Sequence, residues 1–220
     1  MIVVKYLLIA VISYLLGSLN FSIILSRTVA KKDIRESGSG NAGATNMLRT
    51  YGKHFAVLTM LGDILKVALA ILIAFLILNA PLEYFLKIAA DKETAATMIN
   101  YKEFAGFFCV LGHIFPLFFK FKGGKGVAAC TGMVILVDWR IALILFVIFV
   151  LTIVISKMIS LGSIIIAVLY PVLIALFYQN LLLILIAVLF AAIVIVAHRA
   201  NIKRILNGTE NKLSDKKKAS

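Results

Sequence analysis

Several stretches of this chain run for 18 or more residues with hardly a charge, and nothing else in the sequence limits its fold so strongly. A helix of about that length crosses the roughly 30 Å hydrocarbon core of a bilayer, where each backbone N–H and C=O must be paired within the protein. Set against the Gly, Pro and charged punctuation, the runs predict an all-α integral membrane protein of seven transmembrane helices, at about 2–26, 54–78, 104–119, 125–138, 140–156, 160–178 and 181–199. The third and fourth are short. A count of five would need very long helices across the Asp138-Trp139-Arg140 and Gln179-Asn180 turns, so seven suits the lengths better. The first run is longer than a signal-peptide core and no small-residue cleavage pattern follows it, so it is expected to be retained. Residues 1–220 are expected to form one polytopic domain.

Basic residues set the orientation. Of the 23 Lys and Arg residues, 17 fall in the connections around Arg27 to Lys53, Lys120 to Lys125, Lys157, and Arg199 to Lys218. Lys5, Lys87, Lys92, Lys102 and Arg140 belong to the other side, and Lys66 lies inside a span. The positive-inside bias therefore places the N-terminus outside and the C-terminus in the cytoplasm. A net charge of +13 is explained by headgroups and cytoplasmic loops without a nucleic acid. The chain is 62% hydrophobic and only 15% charged, against roughly 25% charged in a soluble domain. The outer loop 79–103 mixes charges, and its Leu82–Ala90 part reads as a short interfacial amphipathic helix; the lysine-rich tail from Leu213 to Ser220 is expected to touch anionic lipid. Cys109 and Cys130 lack any metal-ligand or redox spacing and read as small hydrophobes.

Three polar clusters punctuate the cytoplasmic side. In the first, from Asp33 to Arg49, Gly38, Gly40 and Gly43 let the backbone turn tightly, and the Ala-rich continuation reads as the start of a helix. That arrangement offers free N–H groups to a phosphate. With the segment after Asn41 helical, Thr45 and Arg49 share a face at i, i+4 and flank one anion. A flexible Gly-rich loop with an Asn cap is the plain alternative, and the spacing is not that of a Walker A loop. In the second, from Gly112 to Ala128, Pro116 ends or kinks span three, and Gly123-Gly124-Lys125-Gly126 then turns the chain into span four. A lysine between glycines at a helix start is again an anion site. Phe115, Phe118, Phe119 and Phe121 read as an interfacial aromatic belt in preference to an acyl-chain surface, and His113 reads equally as a packing or a functional histidine. In the third, His198 and Asn201 are three residues apart on one helical face, a spacing that a merely basic flank does not explain.

Deeper in span two, Asp63 and Lys66 stand at i, i+3, about 13 Å from the cytoplasmic end, either as a functional pair or as an ion pair facing the bundle. Ser160 and Ser163 open span six and either line the same site or cap the helix, and His54 reads as interfacial.

Ser39-Gly40-Asn41-x-Gly43-Ala44-Thr45-Asn46-x-x-Arg49, then Gly112-His113-x-Phe115-Pro116 through Gly123-Gly124-Lys125-Gly126-Val127-Ala128, then His198-x-x-Asn201-Ile202-x-Arg204 with Gly208 and Glu210, resemble in order the motifs of the acyl-phosphate-dependent glycerol-3-phosphate acyltransferases of bacterial membranes, the PlsY family. The resemblance covers essentially the whole chain; it departs at Asn20, where such sequences often carry proline, and in the long loop 79–103. It implies transfer of a fatty acyl group from acyl phosphate to the 1-hydroxyl of glycerol 3-phosphate, giving lysophosphatidic acid and inorganic phosphate, the first acylation of phospholipid biosynthesis. It further implies a bacterial cytoplasmic membrane, a cytoplasmic active site, membrane lipids as surroundings, a working monomer, and no cofactor, metal or nucleic acid. Ser39, Arg49, Lys125, His198 and Asn201 are the implied catalytic residues. Gly38, Gly40, Asn41, Gly43, Thr45, Asn46, Lys66, His113, Lys122, Gly123, Gly124, Gly126, Ser163, Arg204 and Glu210 are the implied substrate-binding residues.

The residues make physical sense of that reaction. Both substrates carry phosphate, which suits two basic Gly-rich sites, and an acyl phosphate is already activated, so positioning and charge neutralisation supply much of the catalysis. Either His198 or the substrate's own phosphate takes the hydroxyl proton. The HxxxxD pattern of acyltransferases that use acyl-CoA or acyl-carrier protein is absent, since Thr59, Phe118 and Lys203 stand five after the three histidines. No carboxylate cluster suits magnesium. An organic-anion transporter or receptor is the competing class, but it asks for a polar path through the bilayer, and little beyond Asp63 and Lys66 lies deep.

Overall fold

The computed structural model describes residues 1–213, so most of the lysine-rich tail lies outside the described residues. Among the described residues all regular structure is helical, ten α-helices with three short 3-10 turns, and the chain divides into two compact units, Met1–Asp138 and the part from Trp139 onward.

The first unit holds α1 (Ile2–Gly17), α2 (Phe21–Thr28), α3 (Ala44–Tyr51), α4 (Lys53–Leu78), α5 (Lys92–Ile114) and α6 (Val127–Val137). α1 and α6 each pack against both α4 and α5, while α2 and α3 lie on α4. α1 and α5 cross at Gly17 and Gly112, where an added Cβ would overlap the backbone carbonyls of Cys109 and Tyr14. Lipid gives helices no hydrophobic reason to associate, so such close backbone approach gains its stability from dispersion contacts.

Several boundaries differ from the sequence expectation. The first run is not one helix over 2–26: it breaks after Gly17, and Asn20 starts α2 by accepting from the Ile23 N–H at 3.2 Å and the Ser22 hydroxyl at 2.7 Å. The third helix starts at Lys92 instead of 104, because Asp91 accepts from the Thr94 N–H at 2.8 Å and caps it. The interfacial stretch Leu82–Ala90 contributes only a 3-10 turn at Leu82–Tyr84. α5 stops at Ile114, since a residue before proline, here Phe115, is driven out of helical geometry.

The second unit holds α7 (Trp139–Ser156), α8 (Ile159–Tyr178), α9 (Leu181–Ala197) and α10 (Arg199–Leu206). α8 packs against α7 and α9, and α10 touches both α8 and α9. α9 and α10 meet at a 62° bend centred on His198.

Among the described residues five segments are long and apolar enough to cross a membrane: Ile2–Thr28, Lys53–Leu78, Lys92–Phe119, Trp139–Ser156 and Ile159–Tyr178, with a sixth if α9 and α10 count as one broken span. α6 is apolar but has only 11 residues. Leu65, Leu69, Phe146, Leu151, Leu185 and Leu189 all point outward, as side chains do when lipid is the solvent.

Candidate active site

The first Gly-rich cluster is draped over a small core of Ile23, Ile34, Ala42 and Met47, against which Tyr51, Phe55 and Phe119 also pack. Its shape is set by Asn46. The buried side chain of Asn46 accepts from the Ser39 N–H at 2.9 Å and donates to the carbonyls of Ser37 at 2.9 Å and Ile34 at 3.2 Å. All its polar atoms are thus used to fold the loop. Gly38 stands at φ 60° directly beside the Asn46 amide, where a Cβ would collide with its oxygen. The consequence is a loop whose Ser39 and Gly40 are exposed, leading through Asn41 and Gly43 into α3, with Thr45 and Arg49 one turn apart on that helix as the spacing predicts. Arg49 is half-buried and makes no ion pair among the described residues.

The second cluster folds back onto the end of α5. The Gly123 and Gly124 N–H groups donate to the carbonyls of Ile114 at 3.1 Å and His113 at 3.2 Å, and Phe121 donates to Pro116 at 2.9 Å. The Tyr14 hydroxyl donates to the Phe115 carbonyl at 2.7 Å, and the Ser18 hydroxyl accepts from the Leu117 N–H at 3.1 Å, so α1 pins the turn at Pro116. Gly124 sits so close to the Ala42 carbonyl and to His113 Nε2 that a Cβ has no room, which brings the two Gly-rich loops into contact. Asn20, at the start of α2, also holds the first loop, its Nδ2 donating to the same Ala42 carbonyl at 3.4 Å. Lys122 is exposed and Lys125 half-buried, one residue before Gly126, whose φ of 82° opens α6.

Beneath this seam lies a buried ionic group. Lys66 donates to the carbonyls of Gly17 and Leu19, each at 3.0 Å, and to His113 Nδ1 at 2.9 Å, while Asp63 Oδ1 stands 2.8 Å from the ammonium. Neither Asp63 oxygen is aligned for a hydrogen bond, so the pair is held by charge. An ammonium only donates, so His113 Nδ1 accepts, and the ring proton sits on Nε2 beside Gly124. Lys66 and His113, expected to meet substrate, are 4% and 2% exposed, and their polar atoms tie α4, α5 and the end of α1 together.

Asp33 and Arg35 open the first cluster without a role assigned to them there, and they prove central to this surface. Arg35 donates to the carbonyls of Phe119 at 2.9 Å and Lys122 at 3.0 Å, and through Nε and Nη2 to the Asp33 carboxylate. Hydrogen bonding from Arg35 above all, with Arg27 adding to it against the cost of burial, holds the Asp33 carboxyl well below the usual carboxylate range. The signal available in the sequence is the Asp33-x-Arg35 pair just ahead of the first glycines.

In the second unit, His198 occupies the bend between α9 and α10, and its Nδ1 lies 2.8 Å from the Val194 carbonyl. A carbonyl can only accept, so Nδ1 carries the proton and Nε2 of the neutral ring is the basic nitrogen. Glu210 is the hub of the third cluster. Its Oε1 accepts from Asn201 Nδ2 at 2.6 Å and the Ser160 hydroxyl at 2.8 Å, and its Oε2 pairs with Arg204 Nε at 2.8 Å. Burial alone would raise the Glu210 carboxyl, but the hydrogen bonds from Asn201, Ser160 and Arg204 outweigh it and hold it below the ordinary value. Ser163 is buried and donates back to the Ile159 carbonyl at 3.0 Å. Ser160, left open between lining and capping, is thereby a fastener for the chain after α10.

A multi-span helical membrane protein that carries Gly-rich, basic loops at the ends of its apolar helices is the class these features define. The glycerol-3-phosphate acyltransferase family matches residues 7–208. A glycerol-3-phosphate acyltransferase of Clostridioides difficile is 39% identical over 218 residues, covering 97% of this chain and 98% of its own length. One from Mycoplasmopsis agalactiae is 42% identical over 228 residues, covering 92% of this chain and 91% of its own. Among solved structures, PlsY (YgiH), an integral membrane glycerol 3-phosphate acyltransferase, matches in its glycerol 3-phosphate form with a TM-score of 0.80 at 32% identity, covering 95% of this chain and 96% of that one. Its lysophosphatidic acid form matches with a TM-score of 0.77. The chain belongs to the glycerol-3-phosphate acyltransferase family of the PlsY type. It is an integral membrane acyltransferase of phospholipid synthesis.

Proposed function

We propose that this chain transfers a fatty acyl group from acyl phosphate to the 1-hydroxyl of glycerol 3-phosphate, releasing inorganic phosphate and lysophosphatidic acid. The observation that carries the reading is the seam between the Gly38–Gly43 and Gly123–Gly126 loops, where two anion-binding segments touch at Ala42 and Gly124. Two phosphate-bearing substrates need two such segments. In this reading Arg49, Lys125, His198 and Asn201 hold the glycerol phosphate, while Ser39, Asn41 and nearby amides steady the acyl phosphate and its developing oxyanion. The hydroxyl oxygen attacks the acyl carbon, the bond from that carbon to the bridging phosphate oxygen breaks, and phosphate leaves with the electron pair. The hydroxyl proton passes to His198 Nε2 or to a phosphate oxygen of the substrate. The fixed tautomer of His198 supports the first route.

Seven crossings, an outer N-terminus and a cytoplasmic site remain the topology we favour, in a bacterial cytoplasmic membrane. The short α6 is compatible with it. Asp63 lies about 15 Å along α4 from its start, and the second loop meets His113 at that level, so the loop dips well into the bilayer. The 11 residues of α6 add about 16 Å, which together approach the roughly 30 Å core. We take a monomer as the working unit, and the match over residues 7–208 supports one catalytic domain along its length.

Purified protein in detergent with palmitoyl phosphate and glycerol 3-phosphate is expected to release phosphate and form lysophosphatidic acid, and palmitoyl-CoA is expected not to substitute. Absence of both products, or equal use of palmitoyl-CoA, removes the reading.

A further inference from the structure

We infer that Arg35 is a positioning residue that fixes the second Gly-rich loop against the first, with Asp33 as its template. Three observations carry this. The Arg35 guanidinium spans two carbonyls of the second loop, at Phe119 and Lys122, immediately before Gly123. Its Nε and Nη2 are held at 3.0 and 2.8 Å by the two oxygens of Asp33, whose Oδ1 also accepts from the Arg35 N–H at 2.9 Å, so the planar fork has one orientation. Arg27 then closes the clip from the end of α2, donating to Asp33 Oδ2 at 3.1 and 2.8 Å while its guanidinium lies 5.6 Å from the Phe119 ring centre.

These contacts add to the close approach of Gly124 and Ala42 in setting the spacing between the two Gly-rich segments. Asp33 and Arg35 form the 3-10 turn that leads directly into Ser37-Gly38-Ser39, so the first loop and the clip move together. Without Arg35, the segment from Leu117 to Lys122 keeps its own turn bonds and the packing of Phe119 on the core that includes Ile34, but loses its side-chain hydrogen bonds to residues 33–36. The contact of Gly124 with the Ala42 carbonyl and the bonds from Gly123 and Gly124 to the end of α5 remain, so the loops stay together but the stretch that leads to Lys125 is held less tightly relative to Ser39 and Arg49. An ammonium at position 35 cannot replace the guanidinium, since a single point donor does not span two carbonyls and a carboxylate.

The inference rests on the proposed reaction for its kinetic consequence, and on geometry alone for its structural one. Arg35→Ala, Arg35→Lys and Asp33→Asn should each lower kcat/KM for glycerol 3-phosphate by about tenfold or more, with KM for palmitoyl phosphate within about twofold of wild type. The Asp33→Asn, Arg35→Ala double variant should be no worse than Arg35→Ala, because the two residues act as a unit. Amide hydrogen exchange over Phe119–Gly126 should quicken in all three single variants. Asp33→Asn separates this role from direct phosphate binding, since it removes no positive charge. If Asp33→Asn retains full activity while Arg35→Ala fails, Arg35 meets substrate directly and the inference is overturned. Unchanged exchange in Arg35→Ala also overturns it. A wild-type protein inert towards both substrates, but with faster exchange in the variants, leaves the clip standing and removes the proposed reaction instead.

Discussion

Replacing Lys66 by Met strands a carboxylate in the first unit and opens the end of α1. Lys66 has three protons, and three acceptors take them: the Gly17 carbonyl, the Leu19 carbonyl and His113 Nδ1. The same ammonium is the nearest cation to Asp63, which is fully buried. Breaking a buried pair from one side costs about 3–5 kcal/mol, and each carbonyl left without its donor costs about 1–3 kcal/mol before relaxation. A loss of about 4 kcal/mol is therefore a conservative expectation, or a fall in Tm of roughly 8–16 °C for a chain of this size. Adding Asp63→Asn removes the stranded charge but not the open carbonyls. The double variant should recover about 2 kcal/mol, a non-additivity expected of groups in direct contact. Tm in detergent, followed by tryptophan fluorescence or by size-exclusion chromatography after heating, reads both effects. The reasoning fails if Lys66→Met melts within about 2 °C of wild type, or if the double variant is no more stable than Lys66→Met alone.

Arg49→Ala should separate function from folding: with no ion pair to lose, its Tm should stay near wild type while kcat/KM for glycerol 3-phosphate falls about 10- to 100-fold, the worth of one charge-assisted contact to phosphate. Gly124→Ala places a methyl against the Ala42 carbonyl and His113 Nε2, and steady-state kinetics should show a loss of about tenfold or more from displaced loops. For Glu210 the folded carboxyl titrates below the ordinary 4.5, so the stability it adds is fully present above that value and is lost as pH falls through the lower folded one. Glu210→Gln should therefore melt lower than wild type near neutral pH, with the gap closing as pH is lowered through the folded carboxyl's titration, below 4.5. In His198→Ala the basic nitrogen is gone, so the acid limb of the pH–rate profile should disappear along with most of the activity; a limb that persists assigns the proton to the substrate's phosphate.

The membrane class, the helical fold and the three polar clusters are legible in the sequence, because bilayer thickness and the need to pair every backbone group leave one solution for long apolar runs. The α3 helix after Asn41 and the helix start after Gly126 follow from local chemistry as well. Boundaries set by capping side chains were harder to read. Asn20 looks like one polar residue inside an apolar run, yet its amide reaches the Ser22 and Ile23 donors and starts a second helix within the first span. Roles were harder still, because glycine, asparagine and lysine in a motif look alike whether they face a ligand or the protein. Asn46, Lys66, His113 and Glu210 carry the residue types of a binding site, but they hydrogen-bond to the chain itself, over sequence separations from 6 to 50. Asp33 and Arg35 look like ordinary loop charges until the fold brings Phe119 and Lys122 beside them, 84 and 87 residues away from Arg35. Apolar length and local propensity act along the chain and can be read there; which hydrogen bonds a polar side chain makes depends on neighbours that only the tertiary structure supplies.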